Sequence, residues 1–368
     1  MIDRVYLAEK NLWVHLKETN LPIVIYGMGN GADKIIEELE ARGISVSDFF
    51  ASDGFVRGHH FHGKRVLSLS EVKEKYERFI ILVAFGSSLP DVMEKFITLA
   101  QTHELYAPDV PVCGGELFDA DFYQEHEAEF EEARALLADE KSRSVWDDLI
   151  AYKLSGDISH ILHADTEKDK ALTEILSGGY TAYADLGAYN GDTIRESLAY
   201  YPTIQKICAF EPSTKTFAKL ETYLATVSDV QIDAFPLCAW DRSETRILTD
   251  GAGRNTAIGG NGDQSKTKTG AKIRTAECDA LDNRVQYTGE KLFIKYDVEG
   301  AEEEAILGSV KTIQNNETEL LVSLYHKSRD LFALPLLVHK LLPDHKLYLR
   351  KHPYIPAWDI NLYVTKPQ

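Results

Sequence analysis

Residues 184–193 read Ala184-Asp185-Leu186-Gly187-Ala188-Tyr189-Asn190-Gly191-Asp192-Thr193. The apolar run 182–186 has strand length, carries a carboxylate near its end and breaks at a glycine-rich turn, beyond which a helix starts. Strand, turn and helix start together bring backbone amides and a carboxylate to one place, off the carboxyl end of a strand where open α/β sheets bind ligands. Gly187 and Gly191 are four apart, so this is not the tighter Gly-x-Gly-x-x-Gly loop that holds a dinucleotide's pyrophosphate. Asp185 instead suits a ligand with a positive amino group.

Downstream, strand-like runs fall at Ile207–Phe210, Val230–Phe235, Leu292–Tyr296 and Leu320–Tyr325, each separated by helical pattern, which predicts parallel strands with crossover helices. The second run ends in Phe210-Glu211-Pro212, placing Glu211 to accept from ribose hydroxyls. Lys346–Arg350 and Ile360–Thr365 have nine residues between them, too few for a parallel crossover, so they are expected as antiparallel neighbours at one edge.

The segments DLGAYNGDT, AFEPS, IKYDVEGAEEEAILG and SLYHK resemble the FkbM family of S-adenosylmethionine-dependent methyltransferases, over roughly residues 178–368. The resemblance implies an α/β class I methyltransferase fold, a Rossmann-like seven-stranded sheet whose last strand is antiparallel. It also implies methyl transfer to a hydroxyl, often on a saccharide or natural product. S-adenosyl-L-methionine would be held by the turn residues Asp185, Gly187, Ala188, Asn190, Gly191 and Thr193, with Glu211 and Pro212 at the ribose. Cys238 and Ala239, at the third-strand exit, would meet the adenine.

The fourth strand delivers Lys295, Asp297 and Glu299 at alternate positions, beside the expected methyl group, and His326 follows the fifth. A hydroxyl nucleophile gains from a positioned base. His326, whose type titrates near neutrality, or Asp297 is the expected general base, with Glu299 orienting the acceptor. Plainer roles stay open: Asp297 as a helix cap, Glu299 as a first-turn dipole partner, His326 as a structural histidine. No ligand spacing demands a metal; a divalent cation at these acids is the minor alternative.

Residues 1–115 read as a smaller Rossmann-like domain. Gly27-x-Gly29-x-x-Ala32 follows a strand and opens a helix, and Asp53 lies 21 residues beyond Ala32, about where a ribose-binding acid belongs. The segment is similar to the N-terminal domain of bacterial sugar acyltransferases, which implies nucleotide-sugar recognition. A nicotinamide-dependent oxidoreductase using this fingerprint, and a non-catalytic ligand-binding or assembly protein, are the competing functions. His59-His60-Phe61-His62 reads as a solvated loop. Residues 116–177, rich in Glu, Ala and Leu, are expected as a helical connector. Six glycines within 250–271 suggest a lid, with Arg254 and Asn255 as its acceptor contacts.

The 368 residues carry 40 Lys and Arg against 58 Asp and Glu, a net charge of −18 with no basic cluster. That argues against nucleic acid or an anionic membrane as partner. The longest apolar runs are strand-sized, far below the roughly 20 residues of a membrane span, and the first residues show no signal-peptide pattern. Four scattered cysteines match neither a zinc site nor a disulfide framework. A cytoplasmic enzyme with a small hydroxyl-bearing acceptor is the expectation, with homo-oligomerisation left open.

Overall fold

The structure is a computed structural model in which residues 11–56, 58–250, 256–258 and 272–367 are described. The N-terminal strands are β1 (Ile23–Tyr26), β2 (Asp48–Phe50), the hairpin pair β3 (His60–Phe61) and β4 (Lys64–Arg65), β5 (Ile80–Val83) and β6 (Glu104–Tyr106). β1 and β5 are wholly apolar but for Tyr26 and buried throughout, as central strands covered on both faces must be. They lie in a parallel sheet of order β2-β1-β5-β6. β2 begins only at Asp48, although the apolar positions start at Ile44. Residues 43–47 are spent leaving the preceding helix, with Gly43 left-handed (φ 71°) and Ile44 N donating back to Leu39 O.

The C-terminal strands are β7 (Ala182–Leu186), β8 (Lys206–Phe210), β9 (Gln231–Phe235), β10 (Cys238–Ala239), β11 (Glu244–Asp250), β12 (Thr256–Ile258), β13 (Lys272–Asp279), β14 (Lys291–Tyr296), β15 (Glu317–Ser323), β16 (Lys346–Lys351) and β17 (Ile360–Thr365). Seven of them form one sheet of order β16-β17-β15-β14-β7-β8-β9. β17 runs antiparallel to both of its neighbours, so the expected hairpin is present, with β17 inserted inside the sheet and β16 at the edge. β10, β13, β11 and β12 make a second sheet that the sequence reading did not anticipate. Most of the glycine-rich stretch, including Arg254 and Asn255, lies outside the described residues.

Alternation along the strands loads the two faces of the large sheet differently. Tyr183, Phe293, Leu321 and Tyr363 face the helices Asp192–Tyr200 and Thr214–Leu224. Ala184, Ile294, Val322, Leu349 and Leu362 face the other side. There they meet Phe130, Val145, Trp146, Leu149 and Ile161, all from the supposed connector, together with Ile81, Val83 and Phe96 of the N-terminal domain. Residues 120–164 are indeed helical, but they work as a packed layer and not as a link: Arg350 makes an ion pair with Asp139 at 2.6 Å and Leu349 N donates to Ser142 Oγ at 3.0 Å.

The carboxyl end of β5 abuts the C-terminal domain. Ser87 N donates to Ile355 O at 2.9 Å and Ile355 N returns the bond to Ser87 O at 3.1 Å. The rings of Tyr354 and Trp358 lie so close over Gly86 that any β-carbon there would come within 2.6 Å of both.

Candidate active site

The turn after β7 is built around Gly187. Its φ of +92° suits glycine, and a β-carbon would stand 1.9 Å from Asp297 O, so only glycine lets this turn sit against the end of β14. Gly187 N and Ala188 N donate to Phe210 O, and Asn190 Oδ1 accepts from Asp192 N, starting the helix Asp192–Tyr200. Glu211 holds the turn from the neighbouring strand, accepting from Tyr189 N at 3.1 Å and from Ser213 N at 2.7 Å. Pro212 is half-buried beside it. Carboxylate oxygens accept more than one donor, so this role is compatible with a ribose hydroxyl.

Asp185 differs from the expectation. It is completely buried, accepts from Thr193 Oγ1 at 2.5 Å and lies 3.5 Å from Lys295 Nζ. The positive amino group it was read as awaiting is supplied by the protein: β7 and β14 are adjacent and in register, pairing Asp185 with Lys295. Asp185 therefore supports the turn from below. Cys238 and Ala239 are also buried, in the short strand β10 against Cys278 and Asp279, so their side chains do not present themselves to an adenine.

Lys295, Asp297, Glu299 and His326 do come together, at the carboxyl ends of β14 and β15. Asp297 accepts from the Tyr325 hydroxyl at 2.9 Å and lies 3.3 Å from Lys295 Nζ. Burial works against its charge, but Lys295 and His326 outweigh it and hold Asp297 at about 2. His326 is 0% exposed, with Nδ1 2.9 Å from Glu302 Oε1 and Nε2 3.5 Å from Glu299 and 3.7 Å from Asp297. Desolvation disfavours the imidazolium, yet these three acids push it up to about 10. The three acids thus favour the imidazolium over the free base, which weighs against His326 as the group that takes a proton. Glu299, 29% exposed, is pushed up to about 7 by burial, only partly offset by His326.

Glu302 went unassigned in the sequence. Buried at the start of the helix Glu302–Leu307, it accepts from Val298 N at 2.8 Å and fixes the loop that carries Glu299, whose own φ is +54°. Its place as the last acid of Asp297-x-Glu299-x-x-Glu302 was the available signal. Ligand atoms of Asp297, Glu302 and His326 lie within 4.8 Å of one another. His326 Nδ1, His326 Nε2 and Glu302 Oε2 are buried without a hydrogen-bond partner among the described residues.

These groups open on a pocket of about 270 Å³. Lys295, Asp297, Glu299 and Tyr325 line one wall, Thr193, Glu196 and Tyr200 the next, and Tyr354, Trp358, Asp359 and Asn361 the rim. Ser88 and Val112 come from the N-terminal domain.

The N-terminal fingerprint residues lie around the turn after β1. Gly27 and Gly29 are both at φ 121°, and Ala32 is buried in the following helix, Asn30–Ala41. A β-carbon on Gly27 would lie 2.8 Å from the Phe85 ring, and beyond β5 Ser87 pairs with Ile355. Asp53 opens a short helix, with its side chain outside the described residues. His62 pairs with Asp33 at 2.8 Å. No helix among the described residues is long and apolar enough to cross a membrane.

No family model matches the chain, and no curated protein does. Among solved structures, the FkbM methyltransferase of Methylobacillus flagellatus KT aligns with 98% of this chain and 92% of its own, at 17% identity and a TM-score of 0.69. An rRNA methylase from Streptococcus thermophilus covers 58% of this chain and 98% of its own, at 13% identity and a TM-score of 0.31. A precorrin-6y C5,15-methyltransferase from Geobacter metallireducens GS-15 covers 55% and 94%, at 12% and 0.31. The first likeness spans the N-terminal domain as well as the large sheet. Strand order, the inserted antiparallel β17 and this full-length likeness together establish that the chain has the class I methyltransferase fold.

Proposed function

We propose that the chain is an S-adenosylmethionine-dependent methyltransferase acting on a hydroxyl of a small acceptor, a saccharide or similar natural product. The observation that carries this is the pocket at the end of β14, walled by Lys295, Asp297, Glu299 and Tyr325, beside a Gly187 turn that only glycine lets sit against that strand end. Bound S-adenosylmethionine would supply an electrophilic methyl group. Gly187, Asn190, Gly191 and Glu211 are the residues that would hold it, the glycine turn giving room and Glu211 facing the ribose.

Glu299 takes the proton of the acceptor hydroxyl. A base with a pKa near the working pH combines the right protonation state with useful basicity. Asp297 is fully ionised and tied to Tyr325 and Lys295, so it aligns the hydroxyl without accepting its proton. Aromatic faces at Tyr354 and Trp358, with polar ends at Asp359 and Asn361, suit a polyhydroxylated acceptor that has apolar ring faces.

Calorimetric titration with S-adenosylhomocysteine tests the reading. Micromolar binding, lost in Glu211→Ala, is the expected result. If the wild-type chain does not bind it, the proposal fails.

A further inference from the structure

Between the two domains, residues 110–116 cross the active-site loop as a strap. Cys113 N donates to His326 O at 3.3 Å, and Ser328 Oγ donates to Glu116 O at 2.7 Å. The Cys113 thiol points at Glu299 Oε2, 3.7 Å away, and a β-carbon on Gly300 would lie 3.0 Å from Cys113 Cβ. Val112 lines the acceptor pocket itself. Carbonyls in such an irregular crossing segment have no ladder to satisfy them. Those of Pro111 and Val112 both accept from one amine, Lys34 Nζ, at 2.8 Å for Pro111 and closer still for Val112.

Lys34 stands on the helix Asn30–Ala41, directly after the Gly27–Gly31 turn of the N-terminal domain. It makes no ion pair among the described residues. Instead it spends its ammonium group on two carbonyls of another segment, with burial drawing its pKa down. A lysine used this way works as a clamp: charge-assisted hydrogen bonds to neutral carbonyls are stronger than neutral ones, and here they converge on the stretch of backbone immediately before Cys113.

We infer that Lys34 is a positioning residue for Glu299, holding the strap 111–113 against it so that the N-terminal domain sets the environment of the proton acceptor in the C-terminal site. This rests on the assignment of Glu299 as base. The strap acts by excluding water. Cys113 covers the carboxyl group on one side, and its thiol is itself raised well above the ordinary range by burial and by Glu299. The other groups facing Glu299 are His326, Asp297 and Glu302, with Tyr325 and Lys327 at the margin. Lys34 hydrogen-bonds to none of them among the described residues; it reaches Glu299 through the strap and by direct charge attraction.

The two ways in which Lys34 could act have opposite signs. As a mere nearby cation, it would lower the Glu299 midpoint, and removing it would raise that midpoint. As a clamp, removing it admits water and lets the midpoint fall toward the usual carboxylate range. The experiment follows Glu299 by NMR titration of carboxyl-labelled protein, assigned with Glu299→Gln, in the full chain without acceptor. Lys34→Met should lower the midpoint from near 7 by about one pH unit or more, and Lys34→Arg should restore it. In parallel, iodoacetamide should modify Cys113 about tenfold faster in Lys34→Met, because reaction needs the thiol exposed and ionised; the other three cysteines are buried. An unchanged or raised midpoint in Lys34→Met overturns the inference, as does an unchanged alkylation rate. Binding of S-adenosylhomocysteine by the same samples keeps the questions apart. A shifted midpoint without that binding refutes the methyltransferase reading and leaves the clamp intact; binding with no shift does the reverse.

Discussion

His326 is enclosed by three carboxylates, and removing a buried ion while its partners remain is costlier than removing an exposed one. His326→Gln should therefore destabilise the fold by about 3–5 kcal/mol, measured by urea unfolding; a change under about 1 kcal/mol would mean that the acids relax apart. Glu299 has the opposite linkage to an ordinary carboxylate. Its folded value of about 7 lies above the ordinary 4.5, so its contribution to stability is complete below 4.5 and is lost as pH rises through 7. His326, also raised, contributes fully below 6.5 and loses that contribution progressively up to about 10. From pH 4.5 to 6.5, below the range where the His326 contribution changes, the wild-type urea midpoint should fall through the Glu299 ionisation, and Glu299→Gln should flatten that slope. In turnover the same group acts in the other direction, with rate rising through about pH 7 as the base is freed. Glu299→Gln should lower turnover by about 10²–10⁴-fold with S-adenosylhomocysteine affinity unchanged; a surviving rate would locate the base elsewhere.

Elements were legible where their signal was local. β1, β7 and β17 appear at Ile23–Tyr26, Ala182–Leu186 and Ile360–Thr365, the limits their apolar runs and bounding turns mark out. The sheet of β10 to β13 was not legible. β11 and β13 carry polar residues such as Glu244, Thr245, Arg246 and Glu277 along a two-stranded antiparallel region, and a glycine-rich stretch between them masked the pairing. In the candidate site, the clustering of Lys295, Asp297, Glu299 and His326 was legible because they sit at strand ends. Cys113, Lys34 and Trp358 reach the same place only through the tertiary fold, and nothing in their sequence surroundings marks them. The turn after β7 gives a test at this scale. Gly187→Ala would set a β-carbon against Asp297 O in a left-handed backbone, a combined cost of order 1–3 kcal/mol or more. Melting several degrees lower and lost S-adenosylhomocysteine binding are expected; a wild-type melt would show that the turn swings away from β14.

At the scale of the whole molecule, one apolar cluster runs from Val24 and Ile81 through Trp146 to Ile294 and Leu362. A core that crosses every proposed boundary should not come apart in pieces. Calorimetric melting should show one cooperative transition for both domains, and two resolved transitions would contradict this. The packing of residues 120–164 onto the sheet was not legible in the sequence for the same reason: helical periodicity is visible there, but the surface a helix covers is not.

The joint at Ser87 and Ile355 is made by main chain alone, two amides exchanging bonds with two carbonyls. Such a seam is blind to the side chains on either bank, except at Gly86, where two rings leave no room for a substituent. At this joint the first domain can change its surface side chains without losing register, while Ile81, Val83 and Phe96 still fix the apolar face it buries. In chimaeras that exchange this domain between related chains, a glycine at that one position is the entry condition the seam imposes.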